Sequence, residues 1–339
     1  MATTHKPQLY QQTSQYRDWR FTSESLAQQR AANNKQGIER VLQGLREEAQ
    51  VDDGSGTSEA RIAEATKNLL TPNEEVELID YYLQTILTYT RIYRKENLLK
   101  ADAANNVKAT AINFVKRFYL HNVVFDYPPK TIMLTCFYLA TKVENSFVKI
   151  DDFIRPLATA EIKRNGKALT KNEDILDLEF VVIQSLQFEL AVHHPFRPAY
   201  GFYLDMQAYI DNKPLLKEVY ERTHHYIDQS LYTDLVFLYQ PSQIALGAFK
   251  LAAKDKDLDI DPYLTECFEA RLLETLYTIL DDIQEAISSH KPTTIDKARE
   301  IDRKLILCRN PEKNPNSKLY KKKAANQEDA PYVSDSDSE

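Results

Sequence analysis

Glycine is scarce in this chain, seven among 339 residues. Phosphate-cradling loops need glycine where backbone must approach an anion closely, so nucleotide folds built on such loops are excluded. Cysteine is scarce too. Cys136, Cys267 and Cys308 lie far apart and are odd in number, which predicts reduced thiols, no disulfide frame and no zinc site. Basic charge is not in excess: 43 Lys and Arg against 50 Asp and Glu give a net charge of −7. No global field therefore draws the chain to nucleic acid or to a lipid surface. No apolar stretch approaches the ~20 residues of a membrane span, and the N-terminus lacks a signal-type run. The expectation is a soluble intracellular protein, with no membrane and no direct nucleic-acid partner.

Aromatic rings are abundant, with 20 Tyr and 14 Phe. With so little glycine they predict helices around aromatic-rich cores. One stretch organises the rest. Pro128 and Pro129 set a helix start, because proline suits a first helical turn and cannot sit further in. From Ile132 to Val143 the residues are apolar nearly all round, the pattern of a helix buried at the centre of a core. Lys142 then ends this greasy segment. Its simplest reading is a C-terminal cation favoured by the helix dipole and reaching to water.

The stretch recurs 112 residues on, from Pro241 to Lys254. Pro129/Pro241, Ile132/Ile244, Leu134/Leu246, Phe137/Phe249, Leu139/Leu251, Ala140/Ala252 and Lys142/Lys254 are identical, seven of fourteen positions. Such recurrence marks a duplicated structural unit. The expected fold is all-α, with two tandem five-helix units and extra helices at both ends.

In chain order, residues 1–15 are polar and expected to be disordered. Thr22-Ser23-Glu24 caps a first helix behind Trp19 and Phe21, large apolar residues expected to dock on the folded units or a partner. Residues 50–58 read as a linker. Thr71-Pro72-Asn73-Glu74 is a capping box, followed by Val76, Ile79, Leu83, Ile86 and Leu87 at helical spacing. Helices are expected near 103–121, from Pro129, and near 150–156. A polar loop at Thr159–Thr170 and a fifth helix over Asn172–Phe188 follow, with Ile175, Leu178, Val182 and Leu186 inward. His193 to Pro198 is an extended connection, since residues before proline leave helical geometry. The second unit places helices near 198–211, 214–230, 241–255, 260–265 and 266–289, and one more starts at Thr294. The expected divisions are 1–58 (tail, helix and linker), 59–192 and 193–290 (the two units), 291–310 (C-terminal helix) and 311–339 (disordered charged tail).

Chemistry is thin. His193-His194 and His224-His225 are adjacent pairs, without the i, i+4 spacing that puts two ligands on one helical face. Asp281-Asp282-Ile-Gln-Glu285 resembles half of the magnesium motif of helical prenyl-transfer enzymes, but no second acidic motif accompanies it. No phosphate loop and no nucleophile–base pair is visible. The expectation is a non-catalytic chain with no cofactor and no metal. Lys321–Lys323 is a short basic cluster. Ser334, Ser336 and Ser338, set among acids, are candidate phosphorylation sites for an acid-directed kinase.

The duplicated unit around an apolar helix ending in lysine resembles the cyclin box. Four segments bring the likeness closest to the cyclins of the CDK-activating kinase in transcription factor TFIIH: Tyr16–Phe21; Lys116–His121 with Ile132–Cys136; Val192–Pro198; and Leu238–Leu246. The resemblance implies a regulatory subunit that binds and activates a cyclin-dependent kinase catalytic subunit. It implies further a third subunit of the ménage-à-trois assembly-factor type, the TFIIH core as a wider partner, and a nuclear location. It assigns kinase binding to Lys142 and Glu179, with Val143 and Ile183 packing alongside. It also implies that the Thr22-capped and Thr294-capped helices pack together and help bind the partners. Three features depart from the family pattern: a 44–60 linker, a 157–171 loop and the long charged tail. Rival readings are another transcriptional cyclin, of the C or elongation type, and a TFIIB-like helical scaffold. The absence of a basic stripe weighs against the scaffold.

Overall fold

The computed structural model describes residues 9–51 and 57–328. Among them there are sixteen α-helices and no strand. In order they are α1 (Ser14–Asp18), α2 (Ser23–Val51), α3 (Thr57–Lys67), α4 (Pro72–Lys95), α5 (Ala101–His121), α6 (Pro129–Val143), α7 (Ile150–Asn165) and α8 (Asn172–Ser185). There follow α9 (Phe196–Met206), α10 (Lys213–Ser230), α11 (Leu235–Leu238), α12 (Pro241–Asp255), α13 (Asp261–Cys267), α14 (Ala270–Ser289), α15 (Ile295–Leu307) and α16 (Lys318–Glu328). They form two compact units. One comprises the described parts of Met1–Gln28, Ile79–Phe118 and Lys130–Thr293; the other comprises Gln29–Leu78, Tyr119–Pro129 and the described part of Thr294–Glu339.

The first unit holds both copies of the repeat. Ile132, Met133, Leu134, Cys136, Phe137, Tyr138, Leu139 and Ala140 of α6 are all buried. Phe137 meets the rings of Tyr93 and Phe153 with centroids 5.2 and 5.6 Å away. Helix α12 is buried in the same way from Ile244 to Phe249, packed with Met206, Val219 and Leu280 in one cluster and Ile227, Leu235 and Ile283 in the adjoining one. Gly247 permits the α12–α14 contact, for a Cβ there would fall 2.5 Å from Ile283. The two helices also end alike. Asn145 and Asp257, 112 residues apart, adopt left-handed backbone (φ 52° and 51°). Ser146 N–H then donates to Thr141 C=O at 2.8 Å, and Leu258 N–H to Ala253 C=O at 2.9 Å. This satisfies carbonyls that a helix end otherwise orphans.

Several stretches expected to be loops are helical. Helix α7 continues to Asn165 through Pro156. Proline forfeits one N–H bond there, while buried Phe153, Leu157 and Glu161 hold the turns on either side. Gly166 at φ 75° closes the helix. The supposed 44–60 linker is helical over 44–51 and 57–60, and residues 52–56 lie outside the described residues. Residues 9–12 form a 3-10 turn and α1 follows, where disorder was expected; residues 1–8 are undescribed.

The second unit is built on polar pairing. Buried Glu75 accepts from Asn34 Nδ2 (2.5 Å) and Val124 N–H (3.1 Å), although burial raises its carboxyl above the usual range. Asp126 takes Arg40 and Asn310 at 2.8 and 2.7 Å. Glu74 completes the capping box with Thr71 and binds Lys304 of α15 at 2.6 Å.

The tail is a correction. Residues 311–328 contain a 3-10 turn and α16, not disorder. Pro311, Ser317 and Leu319 are buried, Lys318 N–H donates to Glu48 at 3.0 Å, and Lys323 pairs with Glu47 and Glu312. Gly44 of α2 lies so close that a Cβ would sit 3.0 Å from Asn310. Low apolar content misled the reading, because one leucine and a set of ion pairs suffice to dock a short helix. Leu319→Ala is expected to cost about 2 kcal/mol, read as a lower melting temperature, whereas exposed Lys322→Ala should stay within about 0.5 kcal/mol. Equal, negligible shifts would mean that α16 contributes nothing to folding.

Candidate functional site

Because α6 is buried on every side, its charged groups sit at its two ends. At the C-terminal end Lys142 Nζ lies 2.6 Å from Glu179 Oε1 of α8 and 4.5 Å from the centroid of the Tyr138 ring, one turn back. The two side chains keep 33% and 18% of their exposure, so the pair is reachable from solvent. Val143 and Ile183 are half-buried beside it. Lys254, the equivalent of Lys142 in the second repeat, is exposed.

At the N-terminal end Lys130 Nζ lies 2.5 Å from Glu161 Oε1 of α7. The other oxygen of Glu161 accepts the N–H groups of Leu169 and Thr170 at 2.7 and 2.9 Å, tying down the loop that leads into α8. Burial alone would raise this carboxyl, but Lys130 and the two amides outweigh it and hold it down to about 2. α6 and α8 are thus fixed to each other at both ends by Lys–Glu pairs, one of them through α7.

Large apolar side chains stand exposed on and just beyond the helices that carry Lys142 and Glu179. Phe147 follows α6; Leu176 and Phe180 lie on α8 and Phe188 just beyond it, with exposures of 63%, 43%, 64% and 63%. The Phe180 and Phe188 rings touch edge to face at 6.3 Å. These four were missed in the sequence. The signal was present, since α8 carries two apolar stripes: Ile175, Val182 and Leu186 are buried, whereas Leu176, Phe180 and Ile183 form a second row that a core does not need.

The N-terminal segment lies across both repeats. Trp19 is buried under the Arg117 guanidinium, 4.8 Å from its ring. Phe21 N–H donates to Phe237 C=O at 2.9 Å, and the two rings meet edge to face. Gln15 accepts from His193 N–H (2.7 Å) and donates to His193 C=O (3.2 Å).

Comparison with known proteins decides the family. Residues 96–191 match the family model "Cyclin, N-terminal domain", and residues 194–290 match "Cyclin C-terminal domain". Cyclin mcs2 of Schizosaccharomyces pombe is 32% identical over 94% of this chain and 91% of its own. The chain belongs to the cyclin family. It is also similar to Cyclin-H of Xenopus laevis, at 29% identity over 96% of this chain and 94% of that one. Among solved structures it resembles a chain of the CAK complex from Chaetomium thermophilum bound to ATP-γ-S, with a TM-score of 0.74 and 25% identity over 97% of both chains. It also resembles a chain of the yeast TFIIK (Kin28/Ccl1/Tfb3) complex, with a TM-score of 0.55 and 26% identity, covering 82% of this chain and 100% of that one.

The histidine pairs of this cyclin are engaged in packing and hydrogen bonding. His194 is buried, and burial first, with the charges of Arg117 and His193, brings it down to about 3. Neutral, it meets the Thr110 hydroxyl at 2.8 Å, which itself donates to Glu144 at 2.6 Å. His224 stacks on Phe196 at 5.8 Å. Asp282, of the supposed magnesium motif, accepts from the Tyr239 hydroxyl at 2.9 Å. Among the described residues no group of three or more His, Cys, Asp or Glu is arranged to hold a metal ion. Ser334, Ser336 and Ser338 lie outside the described residues.

The Glu161 anchor carries a pH signature. Its carboxyl titrates below the ordinary value of 4.5, so its stabilisation is fully present above that value and is lost as pH falls towards about 2. Glu161→Gln should lower stability at pH 7 by about 1–2 kcal/mol, and its deficit against wild type should shrink as pH drops from 4.5 to 2. A deficit that stays constant across that range in thermal melts would show that the charge of Glu161 is immaterial.

Proposed function

We propose that the chain is the non-catalytic regulatory subunit of a cyclin-dependent kinase of the CDK-activating, transcription-linked type. Its kinase-binding site is centred on Lys142 and Glu179, with Val143 and Ile183 alongside. The single observation that carries the site is the juxtaposition of a solvent-reachable ion pair with unpartnered apolar side chains. Lys142 and Glu179 stand 2.6 Å apart, while Phe147, Leu176, Phe180 and Phe188, on or just beyond the same two helices, are exposed. A charged pair on helices that also expose apolar side chains suits a helix of another chain, whose backbone ends the charges cap while the phenyl rings exclude water.

The mechanism is positional. In kinases a Lys–Glu ion pair and a metal site form only when one helix is pressed inward. A rigid α6–α8 face can hold that helix in place and contributes no reacting group. The ion pair keeps both side chains extended towards the partner before it arrives, which reduces the ordering cost of binding. Likeness to a chain of the yeast TFIIK (Kin28/Ccl1/Tfb3) complex supports a third subunit in the role of Tfb3, and the proposal extends to the TFIIH core as a wider partner and to a nuclear location.

The duplication supplies a control. If Lys142 were merely a helix-end cation, it and Lys254 would each contribute a similar ~0.3–1 kcal/mol. A docking role predicts asymmetry. Lys142→Ala and Glu179→Ala should each cut kinase activation by about tenfold or more, equivalent to about 1.4 kcal/mol. The double variant should fall short of the additive loss, since the two act as one unit. Lys254→Ala should activate like wild type, with all variants folded by melting temperature. Equal, small effects at Lys142 and Lys254 would sink the assignment.

A further inference from the structure

At the corner between α4 and α5, Arg91, Arg94, Lys95 and Lys100 line one cavity of about 560 Å³ together with Asn97 and Ala101. All four cations are exposed. Elsewhere some cations are closely paired: Lys108, Lys130, Lys142 and Lys304 each lie within 2.6 Å of a carboxylate. None of the four at this corner forms an ion pair with another described residue. Four unpaired cations lining one concavity repel one another, and a bound anion relieves that repulsion.

The backbone favours the same sign of ligand. Asn97 is left-handed, φ 56°, and turns the chain so that Leu98 and Leu99 N–H groups return to Tyr93 C=O. Helix α5 then starts, 21 residues long, with Ala101 at its N-terminus in the cavity wall. The first N–H groups of a helix have no helical acceptor and carry partial positive charge. Asp102 uses its own carboxylate on only one of them, Ala103 N–H, at 3.0 Å. Dipole complementarity at the end of α4 accounts for Arg94 and Lys95, which lie in its last turn. It does not account for Arg91, a turn earlier, or for Lys100, which precedes another helix.

We propose that this corner is an anion-binding site for a phosphoserine peptide rich in acids. Two arginines offer planar forks matched to phosphate oxygens, and two lysines supply point charge around them. A cluster of four cations fits a few phosphate groups close together, whereas a nucleic-acid strand or a lipid surface needs a longer basic track. The overall charge of −7 also opposes long polyanions. The chain itself carries a segment of the required chemistry, Ser334-Asp-Ser-Asp-Ser-Glu339. Nothing in this reading depends on the kinase-docking face.

The probe is a fluorescein-labelled synthetic peptide of residues 328–339 with phosphate on Ser334, Ser336 and Ser338. Anisotropy is measured against the phosphatase-treated full-length protein at low and physiological salt. Binding should weaken with salt and be at least about tenfold stronger than for the unphosphorylated peptide. Arg91→Gln/Arg94→Gln should weaken it by about tenfold or more, and Arg91→Lys/Arg94→Lys should restore part of the loss. Lys217→Gln/Lys254→Gln, at exposed lysines elsewhere, should leave it unchanged. No binding, equal binding without phosphate, or equal loss in the Lys217/Lys254 variant overturns the proposal. So does tighter binding of anionic vesicles or of a single-stranded oligonucleotide that the arginine variant abolishes, which would assign the corner to those ligands.

Discussion

A helix surrounded by apolar side chains can carry charge only at its ends, and α6 obeys that constraint closely. Lys130 stands in its first turn and Lys142 in its last, with buried residues between them. Each ammonium finds a glutamate on the helices that follow, Glu161 on α7 and Glu179 on α8. The relative magnitudes assign the roles. Fully burying one Phe or Leu side chain contributes about 1.5–3 kcal/mol, and α6 buries several. A part-exposed ion pair contributes about 0–1 kcal/mol. The core therefore holds the helices together, while the pairs settle where α8 begins and which of its faces lies beside Lys142.

Duplication makes that division visible. Both repeats end their central helix with a left-handed residue at the equivalent position, Asn145 and Asp257, and with equivalent backbone bonds. Backbone geometry was thus retained where the chemistry diverged. In the last turn of one copy stands a lysine paired with Glu179; in the last turn of the other stands an exposed lysine. Packing constraints act on the whole repeat, but the proposed docking face needs to exist only once.

The sequence disclosed most where periodicity and capping agreed. The α6/α12 repeat, the Thr71 capping box and the inward stripe of α8 were all legible, because each follows from local spacing. It disclosed least where a short polar segment is held by distant partners. α16 has little apolar content, yet Glu48 and the ion pairs of Lys323 dock it. A helix was expected only near 150–156, yet buried side chains on both sides of Pro156 carry α7 on to Asn165. Among the site residues, Lys142 was legible from the repeat and Glu179 only through resemblance to a family. The exposed phenyl rings on and just beyond the same helices went unread, since an apolar residue on a helix is assigned to a core until its neighbours are known.

The N-terminal segment shows how polar pairing can set position while apolar burial supplies the holding energy. Arg117 is 1% exposed, and burial lowers its guanidinium to about 10. Removing a charge from water costs several kcal/mol even after relaxation, so this arginine is a poor stabiliser taken alone. Its contacts explain what it does. It covers the Trp19 ring, donates to Glu189 C=O at 3.2 Å and reaches Gln15 Oε1 at 3.4 Å. Gln15 is itself paired with the His193 backbone between the two repeats. One guanidinium thereby relates the first box, the connection between the boxes and the N-terminal segment. Shifting the segment by a residue would take the Trp19 ring and Gln15 Oε1 away from the guanidinium and leave it with the Glu189 carbonyl. Trp19 supplies the holding energy, and the contacts of Arg117 with Trp19 and Gln15 favour one register.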